Sequence, residues 1–463
     1  MIDDDTLYVV GTAKSGAAQQ WGLLFSKFDT LGNLLDQKVL FDSLGDDYVF
    51  ELNYSIIKTS DGNIAVTGNL WYGNWGFMAK LSKNGDLILW KEFPEPDILN
   101  FQYKSILELP DGFIIAGTKQ LGNYRLKTFI QKVDHQGEVI WEKKYGNPLY
   151  DNAFGSIEMN DLNTFLIGSS EQSYPWLQPY IIGQDWSKSW LFSIDSLGNI
   201  KHEFKSKMYE ESTISGIHCT NDGGYIYATS ETKIFDQWNW GTRTKIVKRD
   251  NNLDLLWSHF LSPTTVIANF TIDLNPTQGG NWIALGKWAN PDGSTYGWPG
   301  ACLYNISANG DSIWSRCDTV VGEFYSSGDL GGLIVLPTGS IIAAGKVNRY
   351  SPSGSRSLGW LLKVDKNGCL DSLCNLVNTQ SEIPSLEPDF QIYPNPTDHL
   401  LYISTLYPMH FDLKCFDAFG RVIFIKKEAS KHIVFDLSSE PCGFYYIEII
   451  LEGRRLLRKV IKL

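Results

Sequence analysis

Few residues in this chain are spaced to do covalent chemistry. It has no HExxH zinc pair, no GxSxG nucleophile elbow and no phosphate-cradling GxxxxGK[ST]. The seven histidines are scattered. His135 falls in a turn and His202 on a strand, positions where a lone imidazole is ordinarily structural. The commonest titratable pattern is a recurring aspartate. Asp29, Asp134, Asp195 and Asp365 each stand three residues before a glycine, and Asp61-Gly62, Asp111-Gly112 and Asp222-Gly223 form pairs. Carboxylates at a fixed spacing can bind calcium, but no EF-hand spacing occurs. A first-position Asp also bonds its own turn backbone, and glycine supplies the left-handed residue. The turn reading is therefore preferred. No catalytic residue, metal ligand or cofactor is assigned from sequence.

Cysteine and aromatic residues offer two further chemistries. There are seven cysteines and no CxxC pair. Cys302 and Cys317 flank the Asn309-Gly310 turn, and Cys369 and Cys374 are a second local pair. A two-residue turn would set Cys302 opposite Cys317, whereas a bulged turn is expected to slide Cys317 opposite Ala301. Aromatics make up 13% of the chain, with 16 Trp. Many fall between strand-like runs: Trp71, Tyr72, Tyr174, Trp176, Tyr180, Trp238, Trp288, Tyr296 and Tyr350. Rings on loops of a rigid scaffold suit sugar faces and peptide side chains. Trp75, Trp240 and Trp298 sit just before the following strand and are expected to pack.

The elements that must position these residues repeat along the chain. A β run ends in a small-residue turn, a second run ends near Gly, and after a variable loop a third and fourth run flank another tight turn. Ser55 to Phe93 and Ser105 to Tyr145 are clear copies. The second-turn glycine recurs at Gly32, Gly85, Gly137, Gly198, Gly310 and Gly368, and one copy near Asn252 and Leu253 lacks it. The spacing predicts seven units of four short strands, a seven-bladed β-propeller over residues 1–374. The position eight before each turn glycine (Leu24, Phe77, Phe129, Trp190, Cys302, Trp360) is predicted to lie between blades. Trp90, Trp141, Trp257 and Trp314 on last strands are predicted there too. Thr6 to Gly11 matches a second strand, so the first blade is expected to lack its first strand. In such a wheel, second-to-third loops share one face, which here collects the loop aromatics. Tight turns share the other.

Residues 375–389 have a linker composition. Beyond them, residues 390–463 carry four motifs in order: Ile392-Tyr393-Pro394-Asn395-Pro396-Thr397; Phe416-Asp417-Ala418-Phe419-Gly420-Arg421-Val422; Phe435-Asp436-Leu437-Ser438-Ser439 with Gly443-Phe444-Tyr445-Tyr446; and Arg458-Lys459-Val460-Ile461-Lys462-Leu463. Short strands separated by turns predict a small immunoglobulin-like β-sandwich. The motifs resemble the C-terminal sorting domain of type IX secretion. The resemblance implies recognition by the outer-membrane secretion machinery, and secretion or attachment at the surface of a Gram-negative bacterium. No basic-then-apolar signal peptide opens the chain, so a truncated start is expected.

Charge narrows the partners. The chain's net charge is −12, and residues 390–463 hold 10 Lys+Arg against 8 Asp+Glu. The first 389 residues therefore carry 30 against 44, or −14. An acidic body argues against nucleic acid, and no apolar run is long enough for a transmembrane helix. The sequence thus predicts an exported propeller that binds a glycan or protein. The alternative is a secreted propeller hydrolase or lyase acting on polysaccharide or peptide, which needs Asp/Glu, His or Arg converging at the channel mouth.

Overall fold

The computed structural model describes residues 1–3, 5–14, 21–41, 56–70, 75–94, 98–121, 125–161, 164–173, 186–208, 210–234, 240–261, 270–288, 300–319, 326–351, 354–370, 390–405, 410–417, 421–430, 432–451 and 454–462. The chain divides into two units, Met1–Leu376 and Val377–Leu463.

Every sheet of the first unit is built from consecutive antiparallel strands. The third is typical, with Ile98–Leu109, Gly112–Leu121, Leu126–Val133 and Val139–Tyr145 paired in order. Its second strand is buried along most of its length, which a sheet with one solvated face could not achieve. Alternation explains it. Ile114 and Ala116 enter the cluster shared with the fourth sheet, while Phe113 and Ile115 enter the one shared with the second. The pattern repeats at every neighbouring pair, and Leu7 of the first sheet packs with Leu336 and Ile342 of the last. Seven sheets joined by seven apolar junctions close a ring, so each sheet is a propeller blade.

Six blades have four described strands and the seventh has three. The expectation for the first blade is corrected, because Ile2–Asp3 pairs with Leu7 and Thr6 as a short first strand. Two residues are too few to show in a sequence pattern. Residues after 370 in the seventh blade lie outside the described set.

The second turn has the predicted Asp–Gly chemistry in blades 1, 3, 4 and 7, while Ser82 and Ser307 take the Asp place in blades 2 and 6 and Leu253 the glycine place in blade 5. In blade 1, Asp29 Oδ1 accepts the amides of Leu31 and Asn33 at 2.9 and 2.8 Å, and Gly32 has φ 90°. A one-residue register shift follows. Asp134, Asp195, Asp250 and Asp365 accept in the same way. These amide bonds, led by that of Asn199, pull the Asp195 carboxyl down to about 2.

The last-strand tryptophans explain the rest of the turn. A Cβ added to Gly310 would lie 2.6 Å from the Trp257 ring, and one on Gly368 would lie 3.0 Å from Trp314. Trp141 Nε1 donates to Ser196 O at 3.1 Å, next to Gly198. Each ring is therefore seated under the turn of the following blade, as its predicted inter-blade placement requires. At the fourth blade His202 takes the tryptophan register and is exposed. The following turn has Leu253 at φ 69° in place of glycine, with its side chain buried in the junction. Both exceptions fall at the junction of blades 4 and 5.

The second unit is a sandwich. One sheet holds Phe390–Tyr393, Leu400–Thr405 and His432–Asp436. The other holds Val422–Ser430, His410–Asp417, Gly443–Leu451 and Arg454–Lys462. Leu401, Ile403, Ile433 and Phe435 face Phe411, Leu413, Ile447 and Val460 across the core.

Candidate functional site

The ring encloses a channel of about 1400 Å³, lined by residues from all seven blades. In blades 2 to 6 its wall is chiefly the first strand, in blade 1 it is chiefly the second, and in blade 7 the second and third strands join the first. An innermost strand has only one ladder partner, so some of its amides and carbonyls need another source of hydrogen bonds.

Side chains of the preceding blade supply them. Ser156 Oγ of blade 4 accepts the Ile217 amide at 3.2 Å, and Asp273 Oδ2 of blade 6 accepts the Leu333 amide at 3.1 Å. Ile217 and Leu333 hold corresponding places in their blades. The residues two places on do the reverse. His218 Nε2 of blade 5 bonds Leu274 O, and Asn275 Nδ2 of blade 6 donates to Leu333 O at 3.3 Å. Farther along the wall, Asn69 Oδ1 accepts the Tyr103 amide and Thr118 Oγ1 the Phe154 amide, at 2.8 and 2.9 Å. The polar channel residues thus act as clamps from blade to blade.

Three clamp-region groups titrate abnormally. Burial raises Asp273 to about 6, against the pull of the Leu333 and Leu274 amides. Glu158 corresponds to His218 one blade earlier, and burial raises it to about 7. His218 is lowered by burial, with Nδ1 3.9 Å from Glu158 Oε1. A neutral imidazole donating through Nε2 leaves Nδ1 as an acceptor facing Glu158. Sequence reading missed these three. For Glu158 and His218 the available signal was a polar break at a place that is apolar at Ile57 and Ile334.

The fourth and fifth blades also share a buried network. Arg249 bonds Glu211 Oε1 at 2.9 Å, the Tyr227 hydroxyl at 2.7 Å and Leu253 O at 3.0 Å. Tyr227 and Ser189 hydroxyls donate to Glu211 Oε2 at 2.8 and 2.9 Å. Every strong donor and acceptor is answered within the protein, which marks a structural lock. Among the described residues no three His, Cys, Asp or Glu side chains converge as a metal site.

The aromatic loop face falls largely outside the described residues. Trp71, Tyr72, Tyr174, Trp176, Tyr180, Trp238 and Tyr296 all lie outside them. Trp288 and Tyr350 end second strands, paired with Gly300 and Ser355, but their side chains are outside the description. Of the three expected packers, Trp75 does pack against the junction of blades 1 and 2. Trp298 and the side chain of Trp240 are not described.

Cys302 and Cys317 form a disulfide. The register argument against them is corrected. The bulge is present, between Asn305 and Ile306, and it sets Cys317 directly opposite Cys302. The same offset pairs Leu24 with Val39 and Phe77 with Glu92. The expectation of Ala301 as partner was one residue out. Cys369 is also disulfide-bonded, and Cys374 lies outside the described residues.

In the second unit the motif residues hold the sandwich together. Asn395 Oδ1 accepts the Ile461 amide and its Nδ2 donates to Lys459 O, both at 2.9 Å. One side chain thereby stands in for a strand residue beside the last strand. Pro394 and Pro396 flank it. Asp417 holds the Arg421 amide at 2.8 Å and Asp436 the Ser438 amide at 2.8 Å. Tyr445 donates its hydroxyl to Pro441 O at 2.6 Å, and Lys462 Nζ bonds Glu440 O. Gly443 opens its strand at φ 153°, and Gly420 is outside the described residues. The beginning and end of the motif series therefore meet in space. Residues 391–463 match the family model described as a secretion system C-terminal sorting domain. The tail is a type IX secretion sorting domain. It marks the protein for secretion or the cell surface and implies contact with that machinery.

No such assignment covers the propeller. None of the curated proteins matches this chain. Among solved structures, puromycin hydrolase aligns with TM-score 0.46 and 12% identity, over 86% of this chain and 57% of that one. The α-L-arabinofuranosidase from Fusarium graminearum, solved with an iminosugar inhibitor, aligns with TM-score 0.44 and 11% identity over 78% and 98%. The α-L-arabinanase from Penicillium chrysogenum, solved with arabinobiose, gives 0.42 and 11% over 67% and 92%. This chain thus spans little more than half of the puromycin hydrolase chain, and no activity passes from these proteins to it. Among the described residues no helix is long and apolar enough to cross a membrane.

Proposed function

We propose that this is an exported propeller that binds a glycan or a protein through the loop face opposite its tight turns. The observation that supports binding over catalysis is the use of the channel's polar side chains. Ser156, His218, Asp273 and Asn275 are each engaged with the backbone of a neighbouring blade. A general acid or base needs a lone pair or proton aimed at substrate, and these aim at amides and carbonyls.

Ligand is expected at the aromatic loops: Trp71 and Tyr72, Tyr174, Trp176 and Tyr180, Trp238, Trp288, Tyr296 and Tyr350. The full chain is screened on a glycan array and by pull-down from cell-surface extracts. Single Trp71→Ala, Trp176→Ala and Trp238→Ala variants are then titrated with whatever binds. Affinity losses of about tenfold or more are expected, the range of an aromatic anchor. Unchanged affinity in all three would place the site elsewhere.

The second reading is a hydrolase or lyase, and one observation favours it. Glu158 is held near neutral beside His218, which is where a general acid would be poised. Turnover of a bound glycan or peptide that disappears in Glu158→Gln would establish it.

A further inference from the structure

The sorting domain has to be read by something, and its motif residues are mostly occupied in folding it. Asn395, Asp417, Asp436, Tyr445 and Lys462 each bond within the domain. Tyr393 differs. It is 47% exposed and stacks on Tyr402, itself 38% exposed, with ring centroids 5.7 Å apart.

The register extends this pair into a row. Tyr393 is opposite Tyr402, and Tyr402 is opposite Val434, which is 56% exposed. Three apolar side chains thus cross all three strands of one sheet on its outer face. The next row along the strands is Gln391, Ser404 and His432, and the row on the other side has Leu400 and Asp436. An exposed apolar row anchored by two tyrosines has the composition of the centre of a protein-binding patch. The exposed apolar residues of the propeller are arranged otherwise. Leu87 with Ile88, Val139 with Ile140, and Leu255 with Leu256 recur singly or in pairs, one set to a blade.

We infer that the secretion machinery docks on the Tyr393–Tyr402–Val434 row of the folded tail through an apolar surface of its own. The occupant follows from the family match, which makes this domain the cargo label of a secretion system. The inference rests on that assignment. A patch of three residues gives a weak contact, which suits cargo that must be released. Asn395 is a positioning residue in this scheme: it fixes the last strand and presents the row without being read.

Export is measured for the full chain behind a periplasmic export signal, in a host with a type IX machinery. The variants are Tyr402→Ser/Val434→Thr, Tyr402→Phe, Val434→Thr, and a chain ending at residue 376. Tail integrity is followed by limited proteolysis and oligomeric state by light scattering. The expected result is a tenfold or greater fall in surface and medium protein for the double variant, with its tail still protease-resistant. Tyr402→Phe, which keeps the ring, is expected to be exported like the wild type. Normal export of the double variant overturns the inference. So does loss of export that appears only together with loss of tail protection, because the row would then act through folding. A wild-type dimer that the double variant abolishes also overturns it, by assigning the row to a second copy. If the chain ending at 376 is exported normally, the sorting assignment itself fails, and that result is distinct from the others.

Discussion

Two kinds of junction between blades stand in contrast. At the junctions of blades 5 with 6 and 6 with 7, a last-strand tryptophan lies under a glycine turn: Trp257 under Gly310, Trp314 under Gly368. At the junction of blades 4 and 5 neither partner is present. His202 stands at the tryptophan register and Leu253 at the glycine position. That turn carries a leucine in the left-handed region, which costs roughly 1–2 kcal/mol. Burying the Leu253 side chain and bonding its carbonyl to Arg249 offset this strain. The first kind of junction is apolar shape-fitting. The second is a polar lock built on Arg249 and Glu211, both nearly inaccessible. The same architecture therefore tolerates two chemistries, provided ring and turn change together.

The largest expected effect tests the lock. Arg249→Met leaves the Glu211 carboxylate buried without its cation. Removing one member of a buried pair costs about 3–5 kcal/mol. A matching drop should be seen in the urea midpoint of the full chain. Loss below about 1 kcal/mol would show that Tyr227 and Ser189 suffice to hold Glu211.

The tryptophan junction is next. In Gly310→Ala the new Cβ would meet the His259 ring at 2.5 Å and the Trp257 ring at 2.6 Å. Overpacking and left-handed strain together are expected to cost about 2–4 kcal/mol. The same change at Gly223, where nothing lies within 4 Å of the added Cβ, isolates the strain and should cost about half as much. Equal losses at the two sites would refute the seating of the tryptophan.

A double-mutant cycle then asks whether the exceptions are coupled. Leu253→Gly relieves strain but opens a void, and His202→Trp supplies the ring that the other junctions seat under a glycine turn. The pair together recreates the common junction. A favourable coupling of about 1 kcal/mol is expected, within the range for residues in contact. Additive effects would mean that the two substitutions are unrelated.

What the sequence showed about these junctions follows from the range of each interaction. The Asp and Gly turns were legible because a left-handed residue and an Asp-bonded turn are decided within five residues. The seven blades followed from the recurrence of those turns. The missing glycine at Leu253 was visible, and so was His202 at the tryptophan position. That the Leu253 side chain is buried in one cluster with Leu166 and Leu191 of the preceding blade was not, because those residues lie far apart in the chain. The clamps of Ser156, His218 and Asp273 were hidden for the same reason, since each answers a backbone group of the next repeat. The disulfide was lost to a single residue of bulge register. In the tail, local motifs were read correctly as a family signature. That Asn395 pairs with Lys459 and Ile461 required the fold.

The smallest effect is the most specific to the polar junction. Glu158 has its folded pKa raised to about 7 from 4.5. A carboxyl raised on folding adds stability that is fully present below its unfolded value and is lost as pH rises through the folded one. Its contribution should fade between about pH 4.5 and pH 7. His218, lowered by burial, acts oppositely: it favours the folded state above its unfolded value near 6.5 and weakens it on acidification. The two faces of the pair therefore partly cancel in the wild type. Glu158→Gln removes the carboxyl and keeps the shape, so the His218 trend is left alone. The variant's Tm should exceed the wild type's by a few degrees at pH 8, and the difference should shrink and reverse by pH 5. An equal pH trend in wild type and variant would show that Glu158 is solvated well enough to stay ionised, and the contrast between the two kinds of junction would then rest on Arg249 and Glu211 alone.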